Sequence, residues 1–204
     1  MVKSSNSVFS LAQDVAQDVV FQRLCFRTAS KWVAQGLPEV HCRAGINTGT
    51  MVVGNIGSEQ VFNYTAIGDS VNLASRLEGA NKHYKTLVMI SEFTHNALSA
   101  NLFRTRLLDV IRVKGKSQAV KVYEVYGEMS DPIPPDDLVY YQTYTTAFEA
   151  YLGRRFDVAR TQFSLALTVR PKDAAALEML ARIEDLDPEA LPDDWDGAVT
   201  FDTK

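Results

Sequence analysis

The chain has 204 residues, of which 46% are hydrophobic and 23% are charged, and its formal net charge is -4. This composition is typical of a folded globular protein and argues against intrinsic disorder. The absence of a basic block argues against nucleic acid as a partner, and no apolar run reaches the roughly 18 residues that span a membrane.

The N-terminal region predicts one amphipathic packing helix over residues 8–35, since apolar side chains recur there at three- and four-residue steps. Gly36 and Pro38 end it. No signal peptide is evident, and Cys25 and Cys42 are too few for a disulfide scaffold. We therefore expect reduced thiols and a cytoplasmic location, with a membrane anchor upstream in a longer parent protein as an alternative.

The next segments predict β-structure. Residues 40–47 and 50–56 are expected to form a β-hairpin around a turn at Asn47–Gly49. Residues 60–67 form a further extended segment that ends at a Gly-Asp break.

A helix is predicted from about Ser70 to Lys82, with Asp69 as its N-cap and not as a metal ligand. Asn72 and Arg76 are four residues apart, so both lie on one face of this helix. A glycine break before a helix start suits a polyphosphate, because the backbone can approach a ligand closely and the first N–H groups are free.

The remaining segments of this first region alternate between strands and a short helix. Residues 86–90, 102–113 and 119–126 predict strands, and a helix is expected from Ser91 to about residue 100. The pattern indicates an α+β fold, an α/β sandwich with one face of the sheet covered by helices.

Three prolines among acidic residues make 129–137 a predicted linker. Beyond it, helices are expected over residues 140–153, 156–170 and 172–185. Residues 138–186 resemble a tetratricopeptide (TPR)-like repeat, which cannot bury its own apolar face and should pack on the first domain or on a partner. Residues 187–204 are predicted to be an acidic, irregular tail.

Four linked segments resemble the second half of the class III nucleotidyl cyclase catalytic domain, the adenylate and guanylate cyclase family. They are Arg43–Gly49, Gly54–Ser58, Tyr64–Glu78 and Arg112–Val125. The resemblance covers roughly residues 8–127 and assigns 1–128 to a partial catalytic domain. It implies a ferredoxin-like cyclase fold whose N-terminal part is missing.

The resemblance also assigns roles to five residues. Arg76 matches the transition-state arginine, and Asn72 matches the asparagine that orients the ribose. Thr65 matches a position that reads the purine, where threonine implies adenine, and Lys114 matches a lysine that contacts the leaving phosphates. Arg43 matches an arginine that contacts phosphate from the opposite subunit.

Each of these residues also has a structural interpretation. Arg76 could form a surface salt bridge with Glu78 or a neighbour, and Thr65 could simply be a strand threonine. Lys114 could lie in a solvated turn, and Arg43 could be a strand-edge arginine.

The family's two metal-binding aspartates have no match in this sequence, so we expect Mg²⁺ or Mn²⁺ to be held by a partner or by a missing segment. A homodimer or a complementing cyclase subunit is therefore the expected partner, with ATP as substrate. The resemblance implies an adenylate cyclase that forms cyclic AMP and pyrophosphate. A non-catalytic nucleotide- or cyclase-binding module and a guanylate cyclase are the alternatives.

Overall fold

A computed structural model describes residues 34–36, 42–57, 62–98, 102–113 and 118–201. The helix predicted over residues 8–35 lies outside these ranges apart from its last two positions. The elements in chain order are β1 (Ala44–Ile46), β2 (Val52–Gly57), β3 (Phe62–Ile67), α1 (Asp69–Tyr84), β4 (Val88–Ser91), α2 (Glu92–Ala97), β5 (Phe103–Val113), β6 (Ala119–Glu128), α3 (Pro135–Leu152), α4 (Phe156–Val169), α5 (Ala174–Asp185), a 3₁₀ turn (Pro188–Ala190) and β7 (Val199–Phe201).

Five strands form one mixed sheet in the order β1-β4-β6-β5-β7, and β2 and β3 form a separate antiparallel pair. The outer pairs β1–β4 and β5–β7 are parallel, while β4–β6 and β6–β5 are antiparallel. The sheet and its covering helices give the mixed α+β fold that the sequence predicts.

The predicted hairpin between residues 40–47 and 50–56 is wrong. β1 pairs in parallel with β4, and β2 pairs with β3, where Gly54 lies opposite Thr65. The reason is that Asn47 does not turn the chain back on itself. Its Nδ2 donates to the Ser70 carbonyl at 3.0 Å and its Oδ1 accepts from Ser91 Oγ at 2.6 Å, so the segment is held against α1 and β4.

Helix α1 packs its predicted apolar stripe on the sheet. Leu73, Leu77 and Ala80 are buried at successive turns. Gly45 of β1 lies so close that an added Cβ would meet the Glu78 nitrogen at 2.2 Å. This strand therefore requires glycine where it crosses the helix.

The start of α1 differs from the prediction by one residue, because Gly68 and not Asp69 occupies the N-cap position. Gly68 has φ 156 and ψ 165, a conformation that residues with a Cβ rarely adopt. Asp69 becomes the first helical residue, where its negative charge interacts favourably with the helix dipole.

The later strand and helix predictions are confirmed, with shifted ends. Ser91 caps α2, since its Oγ accepts from the Thr94 N–H at 3.2 Å. Strands β5 and β6 occupy the predicted segments, and β5 contains a register shift between Leu107 and Asp109.

Three helices follow β6, as predicted, but α3 begins at Pro135, five residues earlier than expected. Proline suits the first turn of a helix because its missing N–H would have no partner there. That these helices form a TPR-like repeat stays a prediction.

These helices pack on the sheet and on α1, which is one of the two alternatives that the sequence left open. One hydrophobic core joins residues of both regions: Leu77, Leu108, Ile111, Tyr140, Tyr144, Phe148, Phe163 and Met179.

The final segment differs from the predicted irregular tail, because β7 adds a strand to the sheet. Val199–Phe201 pairs in parallel with Ile111–Val113 of β5. A strand edge presents unpaired backbone donors and acceptors, which β7 satisfies.

Across the described ranges, no helix combines the length and apolarity that a membrane crossing requires.

Candidate functional site

A cleft of about 380 Å³ opens beside the N-terminal half of α1. The loop after β1, the first residues of α2 and the start of β6 form its other sides. The described residues that line it are Asn47, Thr48, Gly49, Thr50, Asp69, Ser70, Asn72, Leu73, Arg76, Phe93, Gln118 and Val120.

Two of the predicted site residues, Asn72 and Arg76, line this cleft together. Asn72 is exposed and Arg76 is half-buried, one helical turn further along α1. Neither side chain forms a hydrogen bond or ion pair with any residue in the described part of the chain. Both are therefore available to a ligand.

The alternative role for Arg76, a salt bridge with Glu78, does not occur. Glu78 instead accepts from Arg43, with 3.0 Å between Oε1 and Nε. Arg43 is thereby placed at the β1–α1 contact and is not among the residues that line the cleft. Its contact with a phosphate from another subunit stays a prediction.

Thr65 is also not among the cleft residues. It lies in β3 opposite Gly54 of β2, and its side chain is exposed. Lys114 lies outside the described residues, in the gap between β5 and β6. The structure thus brings together Asn72 and Arg76, and the roles of the other three predicted residues stay predictions.

The loop after β1 is fixed in place by the side-chain bonds of Asn47 to α1 and β4. Gly49 lies against Ser70, and a Cβ at this glycine would meet Ser70 Oγ at 2.1 Å. The close approach brings the loop onto the first turn of α1. One wall of the cleft is therefore rigid main chain and small polar side chains.

The cleft carries charges of both signs. Asp69 lies at the first position of α1. Among the described lining residues, Arg76 is the single cation and Asp69 the single carboxylate. The guanidinium is the natural partner of a phosphoryl oxygen.

Within the described residues, no group of three or more His, Cys, Asp or Glu side chains could hold a metal ion. The source of the Mg²⁺ or Mn²⁺ ligands stays a prediction. The carboxylate of Asp69 alone is not a metal site.

The sequence did not single out the apolar side of the cleft. Phe93, Leu73 and Val120 line it together with the amide of Gln118. Phe93 is 41% exposed, so part of its ring is accessible to a ligand. Gln118 follows the Lys-Gly-Lys segment after one intervening residue, and no motif in the sequence marks it as a ligand contact.

Comparison with known proteins identifies the family of this chain. The model of the adenylate and guanylate cyclase catalytic domain matches residues 5–127. The match covers more than half of the chain, and the chain belongs to this family. The resemblance carried by Arg43–Gly49 and Tyr64–Glu78 is thereby confirmed.

Two relatives illustrate the range of the family. The chain is 36% identical over 148 residues to the terminal-differentiation specific adenylate cyclase of Dictyostelium discoideum. The aligned segment covers 70% of this chain and 7% of that protein. It is 48% identical over 94 residues to adenylate cyclase 1 of Rhizobium meliloti (strain 1021), covering 46% of this chain and 14% of that protein. The chain thus spans a small part of these relatives.

Solved structures show the same fold. The adenylyl cyclase CyaB from P. aeruginosa superimposes with a TM-score of 0.54 at 30% identity, covering 64% of this chain and 66% of that one. The guanylyl cyclase Cya2 gives a TM-score of 0.51 at 29% identity, with coverage of 63% and 64%.

Proposed function

We propose that this chain supplies the asparagine–arginine half of an adenylate cyclase active site, which converts ATP to 3′,5′-cyclic AMP and pyrophosphate in signal transduction. The observation that carries the proposal is the position of Asn72 and Arg76, on one face of α1 and in one cleft. Family membership supports a nucleotide cyclase, and the adenylate cyclases among its relatives favour ATP.

In the proposed reaction the ribose 3′-oxygen attacks the α-phosphorus of the same nucleotide. The new O3′–P bond forms as the bond from the α-phosphorus to the bridging oxygen breaks, and pyrophosphate takes the electron pair. The hydroxyl proton passes to solvent. Such a step depends on positioning and on stabilising charge that develops on the phosphoryl oxygens.

Arg76 is proposed to stabilise that charge. Its guanidinium is permanently charged and can donate two parallel hydrogen bonds to phosphoryl oxygens. Because no described side chain neutralises it, its donors need not leave another partner when substrate binds. Its half-burial beside Leu73 reduces screening by water, which strengthens the interaction.

Asn72 is proposed to hold the ribose. Its amide offers both a donor and an acceptor, which match a sugar hydroxyl and the ring oxygen. One helical turn, about 6 Å between Cβ atoms, separates it from Arg76. That span suits a ribose beside its own α-phosphate.

Thr65 and Lys114 are proposed to read the adenine and to contact the leaving phosphates, as the family resemblance implies. The Mg²⁺ or Mn²⁺ ligands are proposed to come from a partner subunit or from residues outside the described ranges. A homodimer or a complementing subunit is accordingly part of the proposal, and so is a cytoplasmic location.

The test measures cyclic nucleotide production by the full 204-residue chain with Mn-ATP. The chain is assayed alone, and then mixed with a cyclase domain that keeps its metal ligands but lacks its own catalytic arginine. We expect cyclic AMP from the mixture, and its loss when Arg76→Ala replaces the wild-type chain. Parallel assays with Mn-GTP test the substrate.

Three outcomes would contradict parts of this proposal. Equal activity of the Arg76→Ala chain would remove the catalytic role of that residue. Preference for GTP would make the protein a guanylate cyclase. A folded chain that is inactive in both assays but binds nucleotide or the cyclase domain would be a non-catalytic module.

A further inference from the structure

Two charged side chains of strand β5 are buried, Arg106 and Asp109, which are 4% and 0% exposed. In a regular strand, residues three apart point to opposite faces. Here the register shifts so that Leu107 lies opposite Tyr123 and Asp109 opposite Val122, which leaves Leu108 as an extra residue. This bulge turns both charges toward the C-terminal helices.

Asp109 links α1 to α5. It accepts two hydrogen bonds from Arg182, Nη1 to Oδ1 at 2.8 Å and Nη2 to Oδ2 at 2.7 Å. It also accepts from the hydroxyl of Tyr84, the last residue of α1, and from the Val110 N–H at 2.7 Å. Asp109 and Tyr84 are 0% and 2% exposed, and the Arg182 side chain is 13% exposed, so the bonds to Asp109 are largely shielded from water.

Arg106 of β5 forms a second ion pair with α5, in which the strand supplies the cation and the helix the anion. It donates to Asp173, the N-cap residue of α5, at 2.8 Å, and also to Glu124 of β6 and to the hydroxyl of Tyr140. The sheet thus gives a cation to one end of α5 and an anion to the side of the same helix. Such a pairing fixes both the position and the direction of α5.

The electrostatics of Arg182 agree with this geometry. Burial opposes its charge, but the hydrogen bonds and charge of Asp109 outweigh that effect and raise the pKa of Arg182. Burial, and then the negative charge of Asp109, raise the pKa of Tyr84, so its hydroxyl stays a donor. A second, more exposed contact also joins α1 to α5, since His83 Nε2 of α1 lies 3.7 Å from Glu178 Oε2 of α5.

We propose that α5 positions the catalytic helix: Arg182, acting through Asp109 and Tyr84, fixes the C-terminal end of α1 and thereby the direction in which Asn72 and Arg76 face the cleft. This inference rests on the proposed function of that cleft. The other end of α1 is held by Asn47 at Ser70. A helix held at both ends has one orientation, and a displacement of about 1 Å at a reacting group can cost roughly 100-fold in rate.

The test compares the full-length wild-type chain with two variants. Tyr84→Phe removes only the hydroxyl that joins α1 to Asp109. Arg160→Gln is the control, since Arg160 lies on α4 and forms an exposed ion pair with Asp157 at 3.1 Å. Backbone hydrogen exchange is measured in α1 and in the buried strand β4, together with kcat and KM in the complementation assay.

For Tyr84→Phe we expect exchange in α1 to rise on the order of tenfold, because one buried hydrogen bond to a charged group is lost, while exchange in β4 stays unchanged. We also expect kcat to fall about tenfold, with KM within about twofold of wild type. Arg160→Gln should change none of these quantities.

Unchanged exchange in α1 would overturn the positioning role. An equal rise in α1 and β4 would also overturn it, since it would show a general loss of stability. A wild-type chain that is inactive in complementation would count against the proposed function alone, because the exchange pattern still decides whether α5 fixes α1.

A double variant tests the path through Asp109 independently of Tyr84→Phe. Arg182→Gln leaves Asp109 buried without its cation, whereas Asp109→Asn with Arg182→Gln restores neutrality. We expect the double variant to recover most of the exchange protection that the single variant loses in α1. Failure to recover it would overturn the proposed path through Asp109.

Discussion

Glu78 forms its ion pair with Arg43 of the neighbouring strand segment, at 3.0 Å, and not with Arg76 two positions earlier on its own helix. Residues two apart on a helix point in different directions, so Arg76 and Glu78 cannot face each other. Arg43 approaches from the side where β1 crosses α1. The pairing leaves the Arg76 guanidinium in the cleft for a ligand.

Replacing Arg76 by alanine should lower kcat in the complemented cyclase about 100- to 1,000-fold, equivalent to about 3–4 kcal/mol of transition-state stabilisation. Thermal unfolding should be unchanged, because Arg76 has no partner in the described part of the structure. Lys82→Ala is the matched control, an exposed cation in the last turn of the same helix. An equal loss of kcat in both variants would show that activity depends on the positive charge of the helix as a whole and not on the position of Arg76.

Replacing Glu78 by glutamine should cost at most about 1 kcal/mol of unfolding free energy, because both partners of its ion pair are substantially exposed. The same substitution separates the two roles of Arg43. If Arg43 contacts a phosphate across a dimer, Arg43→Ala will reduce activity and Glu78→Gln will not. Equal effects of the two variants would assign Arg43 to the ion pair alone. Complementation activity and urea unfolding of both variants provide the comparison.

Gly45→Ala should destabilise the fold by about 3 kcal/mol, since the added Cβ would lie 2.3 Å from the Ala74 carbonyl oxygen and main chain cannot easily move. Gly54→Ala makes the same chemical change in β2, where no atom lies within 4 Å of the new Cβ. It should stay within about 0.5 kcal/mol of wild type. Urea unfolding of both variants measures the difference, and comparable losses would disprove the close contact of β1 and α1.

Asp173 should make stability depend on pH in the acid range. Burial opposes its charge, but the charge and hydrogen bond of Arg106 outweigh that effect and lower the pKa of Asp173 below its ordinary 3.8. The unfolded chain therefore binds this proton first as pH falls, so the stabilisation is present above about pH 4 and is lost as pH falls through the lowered value.

The Asp173→Asn variant isolates this effect, because asparagine can still cap α5 at the Ala176 N–H. At pH 7 it should be about 1–3 kcal/mol less stable than wild type. The difference should shrink as pH falls below about 4. Urea midpoints across this range provide the test. A difference that stays constant with pH would show that the charge of Asp173 contributes nothing.

Local patterns predicted most elements of the fold. The stripe of Leu73, Leu77 and Ala80 predicted α1, and the Ser91 cap predicted the start of α2. Four-residue spacing also put Asn72 and Arg76 on one face. These predictions succeed because helix periodicity and capping depend on residues within a few positions of one another.

The pairing of strands was harder to predict, because it depends on partners far apart in the chain. The hairpin predicted around Asn47 failed since that side chain bonds to Ser70 and Ser91, which are 23 and 44 residues away. Asp109 and Arg182 meet across 73 residues. A charged residue inside an apolar strand signals a buried partner without identifying it.

Short-range spacing and linked motifs were enough to predict the family, the α+β class and the placement of Asn72 and Arg76 on one face of α1. The pairing of Arg43 with Glu78, which leaves Arg76 without a partner among the described residues, and the contact of α5 with the end of α1 became evident from the folded chain. The physical reason is that these relations depend on distance in space, which folding sets by burying apolar surface and pairing the charges enclosed with it.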